Sequence, residues 1–405
     1  MPQDHREIEE SEVSVTGAGI YISVPFCRQK CTYCNFASDV HPFAELPRYL
    51  RALETEITRC GELWVQAGLP TWEDVSVDTL YMGGGTPGLL TGQQLESLLG
   101  AVRSRFRLGP EPEVALEASP ENVTPEKAAE WNSCGINRVS LGVQSMVTKE
   151  LRAVGRMHDA DVVRNALAAL RQASIRDVSV DLIAGLPHQT EESWEKGLQA
   201  VLDLEPTHLS VYMLEVDEES RLGGELLRGG KRYAAEAAPA EEQVVAFYAR
   251  AVDRLRGAGY RHYEISNFAL QGKESRHNEK YWTNVPYFGF GVDAHSYDGE
   301  RRWANVDSLS EYLERVEEGR APIQQWQLLE AGERLEERFF LGLRRRPGVS
   351  LPQVAAEFGE AARQRCEERI GPFRDAGWVE LDGERVRLTD EGLLFSNEVF
   401  AGLMN

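Results

Sequence analysis

Gly19-Ile20-Tyr21-Ile22-Ser23-Val24 leads into Cys27-Arg28-Gln29-Lys30-Cys31-Thr32-Tyr33-Cys34. The first six residues read as a strand, and directly beyond them three cysteines fall within eight residues. Iron–sulfur clusters are usually held by four thiolates brought together by short spacings of this kind. No fourth cysteine follows, since Asn35 and Phe36 come next, and Cys60, Cys134 and Cys366 are scattered like small apolar fillers. A four-iron cluster held by only three thiolates keeps one iron open to a small molecule, which suits chemistry rather than electron carriage alone. A zinc site would show a second ligand pair at characteristic spacing, and none is apparent. A thioredoxin-like pair at Cys31 and Cys34 would leave Cys27 without a role. On spacing, the cluster reading leads.

The rest of the composition sets limits. At 405 residues the chain has room for one large domain and a smaller one, and its 42% hydrophobic content allows a full core. A net charge of −21 argues against general nucleic-acid binding, which needs a basic footprint. Three clustered cysteines out of six suit a reducing compartment. Residues 1–17 are polar and acidic and lack the apolar stretch of a signal peptide. No apolar run is long enough to span a bilayer. The expectation is a cytoplasmic protein, with peripheral contact at the inner face of a membrane left open.

From about residue 18, short β-rich runs alternate with helical patterns. Strands are predicted near 19–24, 76–82, 112–118, 136–142, 176–184 and 207–214. Helices are predicted near 46–66, 91–105, 125–133, 159–173 and 190–203. Such alternation gives an α/β protein with parallel strands and outer helices, wound by right-handed crossovers. Sites in barrels of this kind gather at the C-terminal ends of the strands. Residues 220–240, rich in Gly, Ala and Arg, read as a mobile surface segment, followed by a helix near 240–257. Residues 260–300 are expected to add strands. The division expected is a polar tail (1–17), a barrel with a β extension (18–300) and a helical domain (301–405). In the last, helices near 330–343, 351–358 and 361–376 precede a hairpin with Asp382-Gly383 at its turn, a pattern resembling a winged helix. From Arg344 to Asn405 nine basic residues face eleven acidic ones, so this wing reads as a structural or docking element rather than a DNA reader.

Cys-x3-Cys-x2-Cys with an aromatic before the last cysteine resembles the radical S-adenosylmethionine (SAM) enzymes. That resemblance implies a partial (β/α)6 barrel and a [4Fe-4S] cluster on Cys27, Cys31 and Cys34. It further implies SAM on the open iron, with Tyr33 against the adenine. Tyr81-Met82-Gly83-Gly84-Gly85-Thr86-Pro87, ending the second strand, resembles the family's Gly-Gly-Gly-Thr-Pro motif, which places Gly84, Gly85 and Thr86 against the amino group of SAM. Glycines there let backbone approach a ligand closely. Tyr21, Glu117, Gln144, Arg156 and Asp181 match further SAM contacts in the oxygen-independent coproporphyrinogen III oxidase group. Asp181 also stands out on its own, because an acid inside an apolar strand is costly unless it has partners.

Within that group two activities compete. The oxidase pattern carries a further cysteine two places after the third, where Phe36 stands, and a longer N-terminal extension. Both departures favour the group's haem chaperones, which bind haem and deliver it to respiratory enzymes. Arg276-His277-Asn278-Glu279-Lys280-Tyr281-Trp282 resembles their His-Asn-x-x-Tyr-Trp motif, implying haem at His277, Asn278, Tyr281 and Trp282. Imidazole is a common axial haem ligand, tyrosine oxygen is another, and an indole packs well on a porphyrin face. His295 is a second candidate. The implied partners are haem and haem-accepting apoenzymes, at a membrane or away from it; a homodimer is compatible.

Overall fold

The computed structural model describes residues 17–34, 41–72 and 75–403; most of the polar tail, together with Asn35 and Phe36, lies outside the described residues. Six parallel strands form its centre: β1 (Ala18–Ser23), β2 (Ser76–Gly83), β3 (Arg107–Ala118), β4 (Arg138–Gln144), β5 (Asp177–Ala184) and β6 (His208–Met213). Their helix-covered faces are apolar, whereas Ser140, Asp181 and Ser210 on β4, β5 and β6 face the interior. The helices up to β6 are α1 (Leu46–Gln66), α2 (Gly92–Arg105), α3 (Pro125–Cys134), α4 (Thr148–Ala153), α5 (Ala160–Gln172) and α6 (Glu191–Leu202). The starts of four are fixed by the side chains of Thr91, Thr124, Asp159 and Thr190, each accepting a backbone N–H of the first turn. Between strands and helices lies one large core, with Ile20, Leu80, Leu116, Val139, Val180 and Leu209 from the sheet and Trp131, Leu53, Ile57 and Leu170 from the helices all buried.

The predicted strands are all present. β3 starts earlier than expected, and its ladder with β2 jumps from Leu108 to Glu113, so residues 109–112 bulge out. After α7 (Arg221–Leu227) and α8 (Glu241–Gly257), the short strands β7 (Arg261–His262) and β8 (Asn267–Ala269) add antiparallel to β6. On the other side β9 (Tyr287–Phe290) pairs parallel with β1, and β10 (His295–Tyr297), β11 (Arg301–Asn305) and β12 (Ile323–Leu328) continue antiparallel. The resulting twelve-stranded sheet does not close on itself. This is the partial barrel expected, extended at both edges.

Two segments differ from expectation. Residues 220–240 carry α7 and a short turn, and Leu222 and Ala235 are buried against Val154, Ile183 and Leu186. The Leu222 N–H donates to the Thr32 carbonyl at 2.7 Å, so this segment braces the cysteine loop. Residues 260–300 contribute strands as predicted, but also α9 (Arg276–Trp282), started by the Ser275 side chain and packed against β1 and β2.

α10 (Leu309–Glu317) packs on α1 in the core of the sheet domain, and the C-terminal part contains α11 (Ala331–Arg344), α12 (Leu351–Phe358), α13 (Glu360–Asp375), α14 (Asp390–Leu394) and α15 (Ser396–Leu403). A small antiparallel sheet of β13 (Val349–Ser350), β14 (Val379–Asp382) and β15 (Arg385–Leu388) includes the predicted Asp-Gly hairpin. Phe339, Leu343, Val354, Val386, Val399 and Phe400 give it its own core. Two ion pairs with buried carboxylates join it to the sheet domain: Arg345 to Glu279 at 2.8 Å and Arg344 to Glu264 at 3.3 Å.

Candidate cofactor cavity

The ends of β1 and β2 set the position of the cysteine loop. The Val24 N–H donates to the Gly83 carbonyl at 2.8 Å, and the Thr86 N–H to the Phe26 carbonyl at 3.0 Å. Phe26 is buried against Tyr49, Phe43 and His41, which fixes the residue before Cys27. Further along, the Thr32 N–H donates to Val154 and the Cys34 N–H to Cys31, so the loop is held from α4, α7 and within itself.

Cys27, Cys31 and Cys34 are half-buried and line one cavity of about 1890 Å³. Two polar groups reach their sulfurs: Thr86 Oγ1 lies 3.7 Å from Cys27 Sγ, and Arg156 Nη1 3.6 Å from Cys31 Sγ. Among the described residues no three His, Cys, Asp or Glu side chains converge on a point that would hold a single metal ion. A single zinc needs its donors about 2.3 Å from one centre. Three cysteine thiols that line one cavity at this short sequence spacing are a donor set that fits a cluster.

Gly84 and Gly85 form the wall beside this loop. Gly84 has φ +93°, in the left-handed region, and a Cβ there would meet Ser23 Oγ at 3.0 Å and the Tyr21 hydroxyl at 3.2 Å. A Cβ on Gly85 would meet three backbone atoms, Val24 O, Phe26 N and Phe26 O, at 2.6–2.9 Å. The glycine run is thus required for β2 to meet the cysteine loop, and not only for turning.

Two acids face the same space. Glu117, at the tip of β3, accepts from the Tyr81 hydroxyl at 2.9 Å and from the Gly84 N–H; burial pushes its carboxyl up to about 7. Asp181 on β5 accepts from Ser140 at 3.1 Å and is ringed by Ser179 and Ser210; burial raises it to about 6 despite those donors. Raised acids in a cavity mark functional candidates, because burial disfavours their charged forms. Gln144 ends β4 with φ +67°, an uncommon conformation for a side-chain-bearing residue, next to a register shift in the β4–β5 ladder. Arg156 donates to the Gly142 carbonyl and to Cys31, and its Nε is buried without a partner. The Tyr33 ring packs against the Val154, Ile183 and Leu222 cluster while facing the cavity.

All twelve positions expected from the sequence to hold cluster or SAM line this one cavity. The implied haem residues are divided. Asn278 lines the cavity, whereas His277, Tyr281 and Trp282 do not. His277 is 1% exposed, its Nδ1 lies 2.9 Å from Thr79 Oγ1 and its Nε2 2.8 Å from the Tyr281 hydroxyl. Burial, aided by Lys280, lowers the imidazole to about 3, so it is neutral. In this conformation neither ring nitrogen offers a lone pair to an iron. Trp282 packs near Tyr263 and under the Arg344 guanidinium, at the junction with the C-terminal helices. His295 is exposed and beside Asp293, away from the cavity.

Sequence reasoning missed several cavity residues. Tyr81, which holds Glu117, was visible only as an aromatic two residues before a glycine run. His208, whose Nδ1 lies 2.7 Å from Ser179 Oγ and whose Nε2 lies 2.8 Å from the Tyr263 hydroxyl, had no local motif. Arg344, Ser396 and Asn397 close the far side and come from another part of the chain.

The family model for the Radical SAM superfamily matches residues 21–201, and that for the HemN C-terminal domain matches residues 329–395. A protein of Bacillus subtilis (strain 168) named Heme chaperone HemW is 32% identical over 95% of this chain and 98% of its own length. A bovine (Bos taurus) protein named Radical S-adenosyl methionine domain-containing protein 1, mitochondrial, is 30% identical over 96% of this chain and 87% of its own. The solved structure of coproporphyrinogen III oxidase (HemN) from Escherichia coli superposes with a TM-score of 0.83 over 97% of this chain and 91% of that one, at 22% identity, and shows the shared fold.

Proposed function

The chain belongs to the radical SAM family that includes the heme chaperones named HemW, and from that premise we propose that it binds haem and delivers it to haem-dependent enzymes. Membership implies a [4Fe-4S] cluster and SAM. Cys27, Cys31 and Cys34 would hold the cluster, and Gly84, Gly85, Thr86, Glu117, Gln144, Arg156, Asp181, Tyr21 and Tyr33 would hold SAM. When bound, a reduced cluster of this type supplies an electron to the sulfonium of SAM.

The remaining roles belong to the chain itself. The backbone of Gly84 and Gly85 sits against β1 and the residues before Cys27, where a Cβ would collide, and would offer its polar groups to the ligand. Glu117 and Asp181 provide negative charge for a cationic nucleotide once ionised. Arg156 holds its guanidinium beside Cys31, with Nη1 3.6 Å from the sulfur. The α7 segment braces the loop from outside.

The observation that carries the reading is the cavity itself. Ligand pockets commonly run to about 300–1,000 Å³. This one is about 1890 Å³ and extends from the cysteine loop to Arg344 and the start of α15, so a nucleotide near the cysteines leaves room for a second large ligand. Asn278 of the His-Asn-x-x-Tyr-Trp motif faces that room, and Met157, Tyr212, Val216 and Leu227 give its mouth an exposed apolar lip. We place haem recognition there, with His277 available to iron only after its bonds to Thr79 and Tyr281 open.

Anaerobic titration with haem, followed by its Soret band, tests the proposal. Saturable binding near one haem per chain, weakened by Asn278→Ala and His277→Ala, supports it. No saturable binding overturns it. The oxidase reading draws on the same roomy cavity; formation of protoporphyrinogen from coproporphyrinogen III with SAM and reductant would favour it instead.

A further inference from the structure

His277 lies at the opposite end of the barrel from the cysteines, yet it is joined to the SAM end by an unbroken column of contacts. Its imidazole stacks on Tyr81, with ring centres 5.2 Å apart and planes 21° from parallel. Tyr81 in turn lies over Tyr21 at 6.2 Å and donates its hydroxyl to Glu117 Oε1 at 2.9 Å. Glu117 accepts the Gly84 N–H. The fit is close at this end: a Cβ on Gly83 would meet Glu117 Oε1 at 2.8 Å and the Tyr81 ring at 3.0 Å. At the other end His277 is clamped on both nitrogens, by Thr79 and by Tyr281, and its own N–H donates to the buried Glu113.

We infer that His277 is a positioning residue of the SAM site, acting through Tyr81 and Glu117 on the Gly84–Gly85 backbone. The inference rests on the proposed assignment of SAM to that backbone, and it does not require haem. The physical reason is packing. A ring fixed on both edges leaves its neighbour one orientation, and only one orientation of Tyr81 points its hydroxyl at Glu117. Without that bond the carboxylate is free to leave the Gly84 N–H, and the wall that meets the ligand loosens.

The column also makes the two ends of the barrel mutually aware. If His277 turns to ligate an iron, Tyr81 loses its stacking partner. Binding at the two ends is then coupled with the same factor in both directions.

The test uses the full chain, haem-free and reconstituted anaerobically with iron and sulfide. SAM affinity is measured by equilibrium dialysis, and the reduced cluster is followed by electron paramagnetic resonance with and without SAM. His277→Ala and Tyr81→Phe are each expected to weaken SAM about fivefold, the factor a single hydrogen bond supplies. The double variant should fall no further than the worse single variant, because the two act in series. Iron content should stay at the parental level in all three. The SAM-induced spectral change should be smaller or altered, which a purely structural loss of stability would not produce.

If His277→Ala binds SAM within twofold of the parent with the same spectrum, the inference is wrong. If His277→Ala does not fold, Tyr281→Phe decides: it removes only one clamp, should weaken SAM about threefold, and overturns the inference if it leaves affinity unchanged. If the parent itself binds no SAM, the cofactor assignment has failed rather than the column.

Discussion

Replacing Gly85 by alanine puts the junction of β1 and β2 under direct strain. Gly85 is not in the left-handed region, so the cost is steric alone. The added Cβ would stand 2.6 Å from Val24 O, 2.8 Å from Phe26 N and 2.9 Å from Phe26 O, whereas ordinary contact begins at 3.4 Å. All three obstacles are backbone, and Phe26 is locked by its aromatic neighbours, so no side chain can turn aside. Relief requires the end of β2 to move about 0.8 Å from the residue before Cys27. Overpacking of this kind costs about 1–3 kcal/mol, and immovable partners place it at the upper end. A displacement near 1 Å in a binding wall is expected to weaken the ligand by well over tenfold. Gly100→Ala is the matched control: it lies within α2 with nothing within 4 Å of its Cβ, and should stabilise by about 0.5–1 kcal/mol. Urea unfolding and SAM dialysis on anaerobic protein read both variants. If Gly85→Ala keeps parental stability and SAM affinity within twofold, the β1–β2 junction does not position the site as argued.

Other expectations follow from burial and charge. Burial holds Glu117 near 7, so SAM affinity should rise with pH through that value, by up to about tenfold per unit below it, and Glu117→Gln should flatten the profile measured by dialysis. Glu56, buried among Tyr312, Asn305 and the Gly291 N–H, also stands near 7 against an ordinary 4.5. Its folded form binds more protons than its unfolded form between these values. Stability should therefore fall by roughly 3 kcal/mol between pH 4.5 and 7 from this group, and Glu56→Gln should remove that slope in urea titrations. Arg345→Met strips the partner from a 2% exposed Glu279 carboxylate and should destabilise by about 3–5 kcal/mol, with much of the loss recovered by Glu279→Leu in the same chain. Replacing the buried Cys60, Cys134 and Cys366 by alanine should leave iron content unchanged, whereas Cys31→Ala should abolish it.

Much of this architecture could be read before any coordinates because its signals are local. The parallel strands are built on short apolar runs, and positions at or just beyond their C-terminal ends carry Cys27, Gly84, Glu117 and Gln144, with Asp181 inside β5. Convergence of those tips follows from parallel topology alone. What escaped was made by distant partners. The α9 helix has seven residues and is buried from several sides, so it shows no amphipathic stripe. The partner of His277 at Nδ1, Thr79, lies 198 residues away, and nothing near either residue hints at the other. Residues 220–240 looked like a loose loop by composition, yet two small apolar anchors, Leu222 and Ala235, suffice to hold them under the cysteine loop.

The proposed function stands on three thiolates that would hold a four-iron cluster and leave one iron for SAM. The most direct measurement is iron and sulfide content of the anaerobically reconstituted chain, with the resonance of the reduced cluster recorded before and after SAM. About four irons and four sulfides per chain are expected, with a spectrum that changes when SAM is added. A preparation without cluster, or a cluster whose spectrum ignores saturating SAM, would contradict it.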